Sequence, residues 1–163
     1  MSDARIAMLQ DMSIFAAVGE QSLRLLLEHA RERVVPKGEF FFREGDEGTE
    51  LFVLERGSVT VCKRFQGQDY VIRSIGRGDF FGEIALLDFL PRSASVVAEE
   101  ECHALVFRAL DVLAVAKRDI EQFTMIYMNI AREMGRRLRD GNDLLFESRI
   151  RYEHPVDDYL FAI

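Results

Sequence analysis

Apolar residues follow two rhythms along the chain, and the rhythm changes twice. Over residues 1–33 they recur at three- and four-residue spacing: Ile6, Leu9 and Met12, then Leu23, Leu26 and Leu27 within GEQSLRLLLEHARER. That spacing predicts short amphipathic helices. From Val34 the pattern becomes brief runs of β-branched and aromatic residues, RVV, EFFF, LFVLE, SVTVCKRF, YVIRSI, SASVVAEE and CHALVF, punctuated by glycines. Short strands at regular intervals, with no helix between most of them, predict a compact antiparallel sandwich or barrel over 34–108 rather than a parallel sheet. After Phe107 the helical period returns. Residues 109–147 read as hinge and helix, with Ile120, Phe123, Tyr127, Ile130, Met134 and Leu138 on one stripe that no proline interrupts. A helix that long cannot lie wholly on a small barrel, so its stripe either packs back on the domain at one end or meets a second copy. Residues 148–163 read as a loose or docking tail.

Composition narrows the function classes. The 163 residues are 48% hydrophobic, enough for one full core. No segment reaches the ~18 apolar residues of a membrane span, and MSDARIAMLQDM lacks the basic start and apolar run of a secretory signal, so a cytoplasmic protein with no membrane partner is expected. A net charge of −7 argues against a surface made to hold nucleic acid. The local exception, Arg132, Arg136, Arg137 and Arg139, is flanked by Glu133 and Asp140 and reads as a solvated helix face. Cys62 and Cys102 form no CxxC pair and read as buried thiols.

Most chemistry can be set aside. His29, His103 and His154 offer no HxH or HExxH spacing for a metal, and no serine lies in a GxSxG elbow. IGRGDFFGE has its third glycine one position late for a dinucleotide loop and no strand–helix–strand unit around it. Glu99 and Glu100 are adjacent on a strand and point to opposite faces, the wrong arrangement for a shared acid and base. The chain is therefore not read as an enzyme, and no catalytic residue, metal or cofactor is expected.

One stretch remains. FGEIALLDFLPRSASV, residues 81–96, sets Glu83 and Arg92 nine positions apart inside an apolar run. Burying either without a partner costs several kcal/mol, roughly, so something compensates them. A helical turn over 83–87 entered through Gly82 would offer free backbone N–H groups to an anion, and Arg92 would bring a planar, permanently charged fork to the same anion. Glu83 cannot face a phosphate, so it faces another part of the ligand, for which a sugar hydroxyl is the natural donor. A ribose 3′,5′-cyclic phosphate carries both groups close together.

These residues resemble the phosphate-binding cassette of cyclic-nucleotide-binding domains, the module of catabolite-activator-type regulators, cyclic-nucleotide-dependent kinases and gated channels. Phe81, Gly82, Glu83, Ala85, Leu86, Pro91, Arg92, Ala94 and Val96 fit the cassette, while FREGDEGTELFVLERGSVTV and GRGDFFGE fit the strands and entry before it. The resemblance spans about residues 13–140 and implies a mainly β fold: an eight-stranded jelly-roll barrel of the cupin-like, double-stranded β-helix kind, with short N-terminal helices and a long C-terminal helix. It also implies a site of Phe81, Gly82, Glu83, Ile84, Ala85, Arg92, Ser93 and Ala94. Glu83 would take the ribose 2′-hydroxyl, Arg92 the cyclic phosphate, and backbone groups near Ala85 and Ser93 the same phosphate. Ser93 alone does not decide the base. Alignment of MGRRL with the activators' helix adds Asn142, whose amide can both donate to and accept from an adenine edge, against a plain helix cap at Gly141.

The expectation is a sensor of cAMP, less readily of cGMP, acting as a homodimer through Phe123, Tyr127, Ile130 and Met134 on an effector protein not identified by sequence. The alternative is a catabolite-activator-type transcription regulator lacking its helix-turn-helix reader, because only a short tail follows the long helix; DNA is not expected to bind this chain alone.

Overall fold

The structure, a computed structural model, describes residues 2–151. Helices α1 (Ser2–Gln10) and α2 (Glu20–His29) precede eight strands: β1 (Arg31–Val35), β2 (Phe40–Phe42), β3 (Glu50–Arg56), β4 (Val59–Phe65), β5 (Gln68–Ile75), β6 (Phe80–Phe81), β7 (Ser95–Ala98) and β8 (Cys102–Arg108). A four-residue helix, α3 (Ile84–Leu87), interrupts them after β6, and α4 (Ala109–Arg118) and α5 (Ile120–Arg151) complete the chain. The helix thus continues past residue 147.

The strands form two antiparallel four-stranded sheets, in the orders β1-β8-β3-β6 and β2-β7-β4-β5. This is the jelly roll in its two-sheet form, since the ladders stop at the sheet edges. Alternation along β3 explains the layering. Phe52 and Leu54 point between the sheets with Val61, Phe81, Val96 and Val106, whereas Leu51 and Val53 point outward into a second core shared with the helices. The central strands β3 and β8 of the first sheet are covered on both faces, which is why LFVLE and CHALVF are almost continuously apolar. The outer face of the second sheet is free, and Tyr70, Val71 and Ile72 of its edge strand β5 are exposed.

The first half of α5 closes the helical layer. Ile126 and Ile130 are buried against β-sheet and N-terminal residues of the same chain, with Phe123, Tyr127 and Met134 packed at their margin. Asn129 fixes the helix by donating from Nδ2 to the carbonyls of Ala16 (2.8 Å) and Ile14 (3.3 Å). The stripe expected to meet a second copy is therefore occupied by its own domain. Only its ends, Ile120 (61% exposed) and Leu138 (66% exposed), remain open.

Candidate functional site

Gly82 makes the turn that creates the site. Its φ of +82° lies in the left-handed region, and a Cβ there would stand 2.7 Å from the Glu50 carbonyl oxygen and 2.9 Å from Nη1 of Arg92. Only glycine fits. The turn sends the chain from β6 into α3, burying Ala85 and Leu86 and carrying Glu83 inward. The cassette then returns through Pro91 to β7, and Arg92 turns inward to reach the Gly82 carbonyl. A cavity of about 70 Å³ lies between, lined by Phe42, Val61, Arg73, residues 81–85, residues 91–94 and Val96.

Eight of the nine residues expected at the site, Phe81, Gly82, Glu83, Ile84, Ala85, Arg92, Ser93 and Ala94, line this one cavity. Asn142 does not; it is exposed on α5 and absent from the lining. His29 and His103 lie outside the lining, His154 lies outside the described residues, and no group of three or more potential metal ligands occurs among the described residues.

Arg92 is 5% exposed. Its Nη1 donates to the carbonyls of Glu50 (2.9 Å) and Gly82 (3.1 Å), its Nη2 to the Glu50 carboxylate (2.9 Å), and its guanidinium carbon lies 4.1 Å from the centre of the Phe42 ring. Burial pushes the guanidinium below its ordinary pKa, and the Glu50 charge works against that shift. The Nε–H has no partner, alone among buried side-chain nitrogens and oxygens of the described residues. The guanidinium is thus held at three of its N–H groups, and the remaining Nε–H is buried on the side of Gly48.

Glu83 is 2% exposed and accepts a hydrogen bond from Nη1 of Arg137. Arg137 comes from α5, where its Nε also donates to Glu133 (3.1 Å) and its guanidinium lies 4.9 Å from the centre of the Phe80 ring. Tyr127 adds a second tie, its hydroxyl donating to the Leu86 carbonyl (3.4 Å). Among the four clustered arginines, then, only Arg137 departs from a surface role: Arg136 pairs with Glu133 on the helix surface, Arg132 bonds to Asn129, and Arg139 is exposed. The two charges of the cassette already have partners inside the protein.

Arg73 of β5 is the third cation at the cavity. It is half-buried and its side chain makes no hydrogen bond to a described residue, and burial followed by the nearby charge of Arg137 pushes its pKa down. Sequence reasoning missed Glu50, Arg73 and Arg137; the one local signal was the single charge set within the apolar run YVIRSI. At about 70 Å³ the cavity falls below the ~300–1,000 Å³ of common ligand pockets, so a nucleotide-sized molecule requires its walls to separate.

Among the described residues no helix is long and apolar enough to cross a membrane. The family profile described as the cyclic nucleotide-binding domain matches residues 32–119. The chain is 32% identical over 130 residues, 79% of its length, to the cyclic AMP receptor protein of Thermus thermophilus, and spans 58% of that protein. It is 33% identical over 94 residues, 56% of its length, to human cGMP-dependent protein kinase 2, and spans 12% of it. The crystal structure of the Thermus thermophilus catabolite activator protein superposes with a TM-score of 0.73 at 31% identity, covering 82% of this chain and 62% of that one. With a cassette of this geometry on a fold shared with these regulators, the chain belongs to the cyclic nucleotide-binding domain family.

Proposed function

We propose that the protein is a cytoplasmic, non-catalytic sensor of cAMP that signals through α5. The observation that carries this reading is the pair of charges in one cavity. Arg92 brings a buried, permanently charged guanidinium to the cavity for the cyclic phosphate, and Glu83 a carboxylate for the ribose 2′-hydroxyl. Because Arg137 of α5 holds Glu83, a ligand that enlarges the cavity and engages this carboxylate changes the tie between cassette and helix. Occupancy then biases the position of α5, as a ligand must if it is to shift an equilibrium between two states.

The helix offers a surface for output. Met128, Ala131, Gly135, Leu138, Asn142 and Leu145 follow alternating steps of three and four, the spacing of a two-helix seam. Met128, Leu138 and Leu145 are 46%, 66% and 62% exposed, and Ala131 and Gly135 are small enough to let a second helix approach. The asparagine favours a parallel pair, in which it meets its own copy, and an antiparallel pair would set Arg132 and Arg139 against like charges. The homodimer therefore uses this seam and not Phe123, Tyr127, Ile130 and Met134.

A second reading of the ligand rests on Arg73. A base set against its guanidinium would be matched through the paired O6 and N7 acceptors of guanine, which favours cGMP. Calorimetric titration with cAMP, cGMP and 5′-AMP tests the function directly. Binding of the two cyclic nucleotides, cAMP the tighter, with 5′-AMP much weaker, is the expected result. No binding of either cyclic nucleotide overturns the sensor reading, and a monomer by sedimentation at tens of micromolar, with and without nucleotide, overturns the seam.

A further inference from the structure

The geometry points to Glu50 as a built-in counter-anion that competes with the ligand for Arg92 and so sets the affinity of the site. This inference rests on the assignment of Arg92 to the ligand's phosphate. Glu50 contacts the guanidinium twice, through its backbone carbonyl to Nη1 and through its carboxylate to Nη2, each at 2.9 Å. The surroundings are shaped around the pair. A Cβ on Gly48 would stand 2.8 Å from Nη2 of Arg92 and 2.9 Å from Oε2 of Glu50, and one on Gly82 would strike the Glu50 carbonyl and Nη1. Phe42 and Phe52 flank the cation. In the ligand-free protein a buried arginine with no counter-charge would be strongly destabilising, and Glu50 removes that cost.

The same carboxylate works against an arriving anion. With Glu50 in place the phosphate meets a neutral pair, and it gains only what the redirected Nη2 provides. The Glu50 carboxylate is 37% exposed while the Arg92 side chain is 4% exposed, so the carboxylate is the partner that solvent can take up when the phosphate displaces it. Two anions then share one buried cation, and the ligand-free state is favoured by the ion pair that binding weakens.

Glu50→Gln separates charge from shape, since the amide oxygen can keep the bond to Nη2 without the negative charge. The expected result is cAMP bound about tenfold more tightly than by the native protein, ~1.4 kcal/mol. The melting temperature should fall without ligand, and the rise caused by saturating cAMP should be larger than in the native protein. A merely structural role for Glu50 would lower stability with and without ligand and weaken binding. Should Glu50→Gln fail to fold, Glu50→Asp withdraws the carboxylate by one methylene and should tighten binding by a smaller factor. Unchanged or weaker binding in the folded variant overturns the inference. If Arg92→Ala has lost cAMP while Glu50→Gln binds no better than native, competition alone fails; if native protein binds no cyclic nucleotide, or Arg92→Ala binds it undiminished, the phosphate assignment beneath it fails.

Discussion

The two charged residues of the cassette are nearly equally buried but are held by different parts of the molecule. Arg92 is fixed from within the sheets: its partner Glu50 opens β3, its carbonyl acceptors belong to β3 and the β6–α3 turn, and the Phe42 and Phe52 rings sit against it. Glu83 is fixed from outside, by Arg137 on a helix whose remaining length carries exposed leucines at 138, 144 and 145. Moving Arg92 would disturb the core between the sheets, whereas Arg137 is 20% exposed and lies beyond the buried Ile126 and Ile130 of α5, so it can move with the outer half of that helix. On the proposed reading, the phosphate side would be a rigid receptor and the ribose side an adjustable joint, one to recognise the ligand and one to report it.

Removing Arg92 is the most severe way to break this comparison. Arg92→Ala should leave the sheets folded, since Glu50 has access to solvent, but should cost about 2–5 kcal/mol of binding, more than tenfold in affinity. Calorimetry on a variant with native circular dichroism measures it. Native affinity would mean that the phosphate is held elsewhere.

Releasing the joint should have a smaller effect on binding and a larger one on signalling. Arg137→Met keeps a side chain of comparable length over Phe80 but leaves the Glu83 carboxylate buried without a counter-charge, a loss of roughly 3–5 kcal/mol in stability. Hydrogen exchange along α5, with and without cAMP, reads the coupling. In the native protein nucleotide should change protection around residues 133–145, and in the variant that change should largely vanish. A full ligand-dependent change without Arg137 would place the joint at another contact, with Tyr127 the next to test.

The difference between the two sides also governs what could be read from sequence. The cassette was legible because Glu83 and Arg92 stand out within a short apolar run, and the strands because glycines and β-branched runs mark them locally. Glu50 and Arg137 were not legible. They meet their partners across 42 and 54 positions, and neither differs locally from its neighbours: Glu50 is one of several acids around a turn, Arg137 one of four clustered arginines. Periodicity established that α5 has an apolar stripe, but an apolar stripe does not say what covers it. Phe123, Tyr127, Ile130 and Met134 cover the protein's own helical core, and the face left open is broken up by Ala131, Gly135 and Asn142, so its spacing is harder to see than its exposure. The sequence reading had the ligand compensate both cassette charges; the protein does so itself with Glu50 and Arg137.

The smallest expected effect concerns the base, which neither Arg92 nor Glu83 addresses. Arg73 lies on the cavity wall, half-buried, with no side-chain hydrogen bond to a described residue. A guanidinium only donates, so it suits the two acceptors on one edge of guanine and meets a donor, the N6 amino group, on the same edge of adenine. Its charge attracts the phosphate of either ligand alike, and that part cancels in a ratio of affinities. Arg73→Ala should therefore weaken cGMP more than cAMP and widen the preference for cAMP by about 1 kcal/mol, the scale of one good hydrogen bond. Parallel titrations of native and variant protein with both nucleotides supply the four affinities needed. Equal weakening of the two would reduce Arg73 to an electrostatic attractor and leave the base to be read by another part of the molecule, with Asn142 of a second copy the first candidate. Tighter binding of cGMP by the native protein would instead make Arg73 the residue that sets the ligand.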